Sequence, residues 1–267
     1  MGGSGFSDYA LFDRPEILLY LFHPRPEEGA LLSDRNIISL SIPVEQNINL
    51  GARLFTSSKN TATIIFFHGN GEIVEDYDDI GSLFLRMGIN FFPVDYRGYG
   101  RSGGVPTVSA MISDSHKVFS FIRQWLREND YSGPVVVMGR SLGSAPALEL
   151  AAHHGGEIDA LIIESGFAMT VPLLGYLGID AGAYGITEEK GFRNAEKISM
   201  YKGPTLVIHA EKDHIIPFNQ GETLYRSSGS DDKIFLKIPE ANHNTIFVYG
   251  LEQYLKAVAD IVKKIMK

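Results

Sequence analysis

No cysteine occurs in the 267 residues of this chain. That excludes disulfide frameworks, thiolate nucleophiles and iron–sulfur ligation, and nothing in the sequence asks for an oxidising compartment. A block of lysine or arginine is also missing: 24 basic residues stand against 32 acidic ones, for a formal charge of −8. Nucleic-acid binders carry a basic footprint, so no nucleic-acid partner is expected. The longest apolar stretch near the start, Ile17 to Phe22, is far too short to cross a bilayer. The first ten residues lack the basic start and apolar run of a signal peptide, and the myristoylation pattern fails at Phe6. Met1 to Gly5 therefore reads as a flexible leader, and the expectation is a soluble, cytoplasmic protein without stable membrane insertion. No internal repeat or low-complexity segment is present, and no signal bears on oligomeric state.

What the chain has is ordinary globular material, 44% hydrophobic and 21% charged, arranged in alternation. Short apolar, β-branched runs predict strands over 37–42, 48–55, 61–67, 90–95, 134–139, 158–164, 204–209 and 233–238. Between them, three- and four-residue spacings predict helices over 75–87, 108–128, 142–153, 218–228 and 245–265. Ile112, Val118, Phe121, Ile122, Trp125 and Leu126 mark one core face, and Leu251, Tyr254, Leu255, Val258, Ile261 and Val262 another. Alternation at this scale implies crossover units and a mainly parallel sheet, with the first two strands as an antiparallel hairpin at one edge. Asp13-Arg14-Pro15-Glu16 predicts an acid-capped start to a short helix packed on the body.

Gly139-Arg140-Ser141-Leu142-Gly143 carries the chemistry. A G-x-S-x-G between an apolar strand and a helix is the context of a nucleophile elbow, where a sharp turn exposes the serine and admits only small neighbours. Three further pieces follow in order. The run Thr61 to Phe67 ends in His68-Gly69-Asn70-Gly71, a loop whose amides can face developing negative charge. The run Thr205 to His209 ends in Ala210-Glu211-Lys212-Asp213, putting Asp213 just past a strand end. The run Ile234 to Ile238 leads into Pro239-Glu240-Ala241-Asn242-His243. The order Ser, Asp, His is one that hydrolytic triads use.

With Phe67 to Glu72, Asp95-Tyr96-Arg97-Gly98-Tyr99-Gly100-Arg101-Ser102, Gly139 to Gly143, His209 to Asp213 with Ile216-Pro217, and Asn242-His243, the chain resembles the α/β-hydrolases. Within them it is similar to the small-lid serine hydrolases related to serine aminopeptidases, acyl esterases and acyl-protein thioesterases. The resemblance covers about residues 37 to 266; Ala210 departs from it, standing where such enzymes often carry glycine. It implies an α/β fold: a mostly parallel eight-stranded sheet with helices on both faces and a small lid. The expected organisation is a leader and short packed helix over 1–34, then one hydrolase domain over 35–267 with an insertion at about 166–203.

The expected catalytic residues are Ser141, Asp213 and His243, with backbone N–H groups of Leu142 and Asn70 as the oxyanion hole. The insertion is rich in apolar groups, and Phe167, Met169, Leu173, Leu174 and Tyr176 are expected to line an acyl pocket. The expected substrate is a small-molecule carboxylic ester or thioester with a hydrophobic acyl group. Peptidase action on the same residues is the alternative, with Glu72 or Glu164 as an anchor for a free amine; a binding module that keeps the fold without hydrolysis is another. No cofactor and no metal are expected.

Other patterns are set aside. Gly98-x-Gly100-x-x-Gly103 matches a dinucleotide fingerprint, but Pro106 intervenes before any helix. Glu75, Asp76, Asp78 and Asp79 lack the glycine and final glutamate of a calcium loop and read as a solvated helix start. His153 and His154 read as groups satisfying carbonyls at a helix end. His68 reads as a brace of its loop, His214 as a weaker base than His243, and Glu164 as a reserve acid.

Overall fold

The apolar runs pair into a single sheet. Its strands are β1 (Ile37–Glu45), β2 (Ile48–Phe55), β3 (Thr63–Phe67), β4 (Asn90–Val94), β5 (Val135–Arg140), β6 (Ala160–Glu164), β7 (Thr205–Ala210) and β8 (Lys233–Ile238). They lie in the order β1-β2-β4-β3-β5-β6-β7-β8. The β1–β2 hairpin and its junction with β4 are antiparallel, and every pairing from β4 to β8 is parallel. This computed structural model describes residues 8–29 and 34–266, so the leader Met1 to Gly5 lies outside the described residues.

Successive strand residues point to opposite faces, and helices cover both, which is why the central strands are apolar throughout. Ile65, Phe67, Val135, Val137 and Leu161 face one core with Val118, Phe119 and Ile122 of α3 (Val108–Glu128) and Leu148 of α4 (Ser144–His153). Ile64, Phe66, Val136, Met138 and Ile162 face the other. There they meet Phe84 of α2 (Asp78–Arg86) and Tyr254, Val258 and Ile261 of α8 (Ile246–Ile265). Helix α7 (Phe218–Ser227) lies between β7 and β8 in the chain.

Several local details depart from the sequence expectations. The helix expected from residue 75 starts as a 3-10 turn over Val74–Tyr77, where the Asp76 carboxylate accepts from Ile73 N at 3.0 Å. The helix expected from 142 likewise starts as a 3-10 turn over Ser141–Gly143 before α4. Helix α1 (Pro15–Leu21) has Arg14, without a side-chain bond, at its cap. Asp13 instead accepts from Ser109 N at 3.1 Å at the start of α3, so tertiary docking claims the carboxylate that sequence assigned to α1.

The segment 166–203 folds as α5 (Thr170–Tyr176), a 3-10 turn over Ala181–Tyr184, and α6 (Asn194–Met200). It is tied to the start of the chain through rings: Phe192 lies 5.7 Å from Tyr9, 5.1 Å from Phe12 and 5.2 Å from Phe167. Tyr9, Phe12, Ile17 and Leu21 are all buried. The N-terminal segment is therefore part of the core on the face where the insertion sits.

Candidate active site

Ser141 stands at the end of β5 with φ +52°, a left-handed conformation that side chains rarely adopt. The turn holds because its flanks are glycine. A Cβ at Gly139 would lie 2.2 Å from the Gly143 carbonyl oxygen, and one at Gly143 would lie 2.1 Å from the Phe67 oxygen. The elbow thus packs directly on the end of β3, which brings the His68–Gly71 loop beside the serine. We expect Gly143→Ala to cost about 1–3 kcal/mol or more, because its contacts are backbone and cannot rotate away. Urea unfolding with a midpoint equal to wild type would contradict that packing.

Around Ser141 the other two residues close a hydrogen-bonded row. His243 Nε2 lies 2.9 Å from Ser141 Oγ, and its Nδ1 lies 2.7 Å from Asp213 Oδ2. Asp213 Oδ1 accepts from the amides of Ile215 and Ile216 at 3.0 and 2.8 Å. Burial would raise the Asp213 pKa, but His243 and the Ile216 amide outweigh it and hold the carboxyl below its ordinary range. Beneath this loop, His209 Nε2 lies 2.9 Å from the Ile216 carbonyl. Burial depresses the His209 pKa, so the neutral ring donates there and fixes the turn carrying Asp213. His214 is exposed.

The loop after β3 is held from both sides. Asn70 Oδ1 accepts from His23 N at 2.7 Å and from the Tyr99 hydroxyl at 2.8 Å, pinning it to the N-terminal segment. His68 Nδ1 lies 2.8 Å from the Gly69 carbonyl. On the other flank Gly69 N donates to Glu72 Oε2 at 2.6 Å. Glu72 belongs to a network that sequence reasoning missed. The buried Arg140 donates from Nε to Glu72 at 2.8 Å, from Nη1 to Glu164 at 2.7 Å, and from Nη2 to the His243 carbonyl at 3.0 Å. Glu164 also accepts from the Tyr254 hydroxyl at 2.8 Å, which occupies the reserve acid elsewhere. Burial would raise the Glu72 pKa, but Arg140 and the Tyr77 hydroxyl hold it below its ordinary range. One guanidinium therefore links the serine strand, the histidine loop and the loop after β3. The one signal in the sequence is a charged residue, Arg140, at the end of an otherwise apolar strand run.

Ser141 opens onto a cleft enclosing about 370 Å³ including its mouth, with Asn70 and Leu142 beside the serine. Of the residues expected to line a pocket, Phe167 and Leu173 do so. Leu174 is turned into the core, Tyr176 is 53% exposed, and Met169 lines a separate surface cavity with Glu188 and Arg193. The helical period explains this: in α5 neighbouring side chains diverge by about 100°, so 173 and 174 cannot share a wall. The remaining walls are Leu177, Ile215, Ile216 and, from the N-terminal segment, Tyr20 and Leu21.

The profile of the family described as "serine aminopeptidase, S33" matches residues 58–174. Human alpha/beta hydrolase domain-containing protein 17B is 30% identical over 210 residues, covering 76% of this chain and 66% of that protein. The chain belongs to the α/β-hydrolase superfamily. The uncharacterized protein YfhR of Escherichia coli K12 is also 30% identical, over 187 residues, covering 70% of this chain and 64% of its own length. The chain thus spans about two thirds of the length of these curated relatives. Among solved structures, the Pyrococcus furiosus esterase Pf2001 superposes with TM-score 0.73 at 17% identity, covering 92% of this chain and 100% of the esterase. An α/β-hydrolase fold is what that likeness and the strand order establish together. Among the described residues, no helix is long and apolar enough to cross a membrane.

Proposed function

We propose that this chain is a serine hydrolase that cleaves a small-molecule ester or thioester with a hydrophobic acyl group through an acyl-enzyme intermediate. The observation that carries the reading is the Asp213–His243–Ser141 row, at 2.7 and 2.9 Å, ending on a serine that faces an apolar cleft. His243 Nε2 takes the Ser141 proton as Oγ attacks the acyl carbon, because an unassisted hydroxyl is a poor nucleophile at neutral pH. Asp213 holds the Nδ1–H tautomer and stabilises the imidazolium. The oxyanion meets the N–H groups of Leu142, which lies in a first helical turn without an intrahelical acceptor, and of Asn70. His243 then returns the proton to the leaving group and activates the water that releases the acid.

A peptidase acting on a free amino terminus would need an anionic anchor. Arg140 holds both carboxylates considered for that role, Glu72 and Glu164, which favours the neutral ester or thioester. The test is reaction with a fluorophosphonate probe followed by peptide mass spectrometry. The adduct is expected on Ser141; a folded protein that does not label would leave the binding-module reading in place.

The apolar walls also set a chain-length preference. Leu173→Trp, filling the cleft, is expected to lower kcat/KM for the longest accepted acyl ester by about tenfold or more while sparing acetyl esters. A rate profile over p-nitrophenyl esters measures this, with thermal melting to confirm the fold. An unchanged profile would move the acyl group out of this cleft.

A further inference from the structure

On the sheet face covered by α3 and α4, two helices bring together groups that the hydrolytic reading does not use. His116 comes from α3, and Glu149 and His153 lie one turn apart on α4. Their nearest ligating atoms all fall within 4.8 Å of one another. We propose that His116, Glu149 and His153 form a binding site for a divalent transition-metal ion of the zinc type.

The spacing fits. Ligands bonded to one tetrahedral ion at about 2.0–2.1 Å stand roughly 3.3–3.4 Å apart. His116 Nε2 lies 3.6 Å, and His153 Nδ1 3.3 Å, from the same Glu149 oxygen, Oε1. Two imidazoles and a carboxylate are a ligand set that suits zinc and leave a fourth position for water.

The surroundings orient each ligand. Glu149 is 4% exposed, and its other oxygen, Oε2, is held by Lys197 Nζ at 2.5 Å, so Oε1 is the oxygen turned to the histidines. His116 Nδ1 lies 3.0 Å from His154 Nε2, whose own Nδ1 lies 3.3 Å from Glu157 Oε1. An acceptor at Glu157 favours a proton on His154 Nδ1, which makes His154 Nε2 an acceptor for His116 Nδ1–H. In that arrangement the lone pair of His116 Nε2 points at a carboxylate oxygen. A cation seated between Nε2 and Oε1 would satisfy both acceptors, and a metal-bound imidazole donating its other N–H to a polar partner is the usual outer-sphere arrangement. In the metal-free molecule His153 Nδ1 also lies 2.9 Å from the Glu149 carbonyl. Ligation moves that proton to Nε2, on a ring exposed enough to give it to water.

The experiment is calorimetric titration of the chelator-treated full chain with zinc chloride, wild type against His116→Ala/His153→Ala. Both histidines are about one third exposed, so the double variant is expected to keep its circular dichroism. Wild type is expected to bind one zinc at least tenfold more tightly than the double variant, and to melt at higher temperature with zinc where the variant does not. His154→Ala should weaken binding about 10–100-fold through loss of the orienting bond. Equal zinc affinity and equal melting shifts in wild type and double variant would overturn the site. Any zinc held by His243 or elsewhere persists in the double variant and is subtracted by the comparison.

Discussion

Ser141→Ala is expected to lower ester turnover by about 10⁴- to 10⁶-fold, the loss seen when the nucleophile of an interdependent triad is removed. Fluorophosphonate labelling should vanish with it. The fold should survive, because alanine changes neither the φ of +52° nor the contacts of Gly139 and Gly143 that hold the turn. Ser141→Gly separates strain from chemistry: glycine adopts this conformation freely and should recover about 1 kcal/mol of stability while remaining inactive. Turnover in a clean Ser141→Ala sample above one hundredth of wild type would remove Ser141 as nucleophile, whatever the geometry. A Ser141→Gly midpoint in urea no higher than that of Ser141→Ala would show that the elbow stores no strain.

The second large effect belongs to Arg140. Arg140→Leu is expected to destabilise the fold by about 3–5 kcal/mol, because it strands Glu164 and Glu72 without their cation. Glu164 is 1% exposed and cannot turn to water. Arg140→Lys distinguishes position from charge. It keeps the cation but not the planar fork that reaches Glu72, Glu164 and the His243 carbonyl together. A small misplacement of the histidine loop should then lower kcat by about 10–100-fold with KM little changed. Equilibrium urea unfolding within about 1 kcal/mol of wild type for Arg140→Leu would mean that the network is relaxed in solution.

Ser141, Asp213 and His243 were legible because each follows an apolar strand and sits among small or turn-forming residues. Such signals are local, and the parallel sheet then aligns the strand ends. Arg140 was not legible, since its partners stand 68, 24 and 103 residues away. No local pattern says which carboxylates a buried guanidinium will meet. The insertion was legible as apolar, but not which of its side chains face the cleft: Leu173 and Leu174 are alike in sequence and diverge on a helix. The N-terminal segment read as a packed helix, yet its role as a cleft wall through Tyr20 and Leu21 needed the docked body.

What the sequence by itself determined was the order and type of elements, and with them which polar side chains stand at the strand ends. Period-two and period-3.6 patterns decide which surfaces must be buried, and the residues after each strand decide which reactive groups its end presents. Only the tertiary structure decided which side chains share a cavity or a charge. It settled Leu174 in the core, Asp13 on α3, His23 on Asn70, and His116 beside Glu149 and His153. The reason is physical: pattern fixes the face a residue occupies, whereas its neighbours across that face depend on how helices far apart in the chain are laid against the sheet.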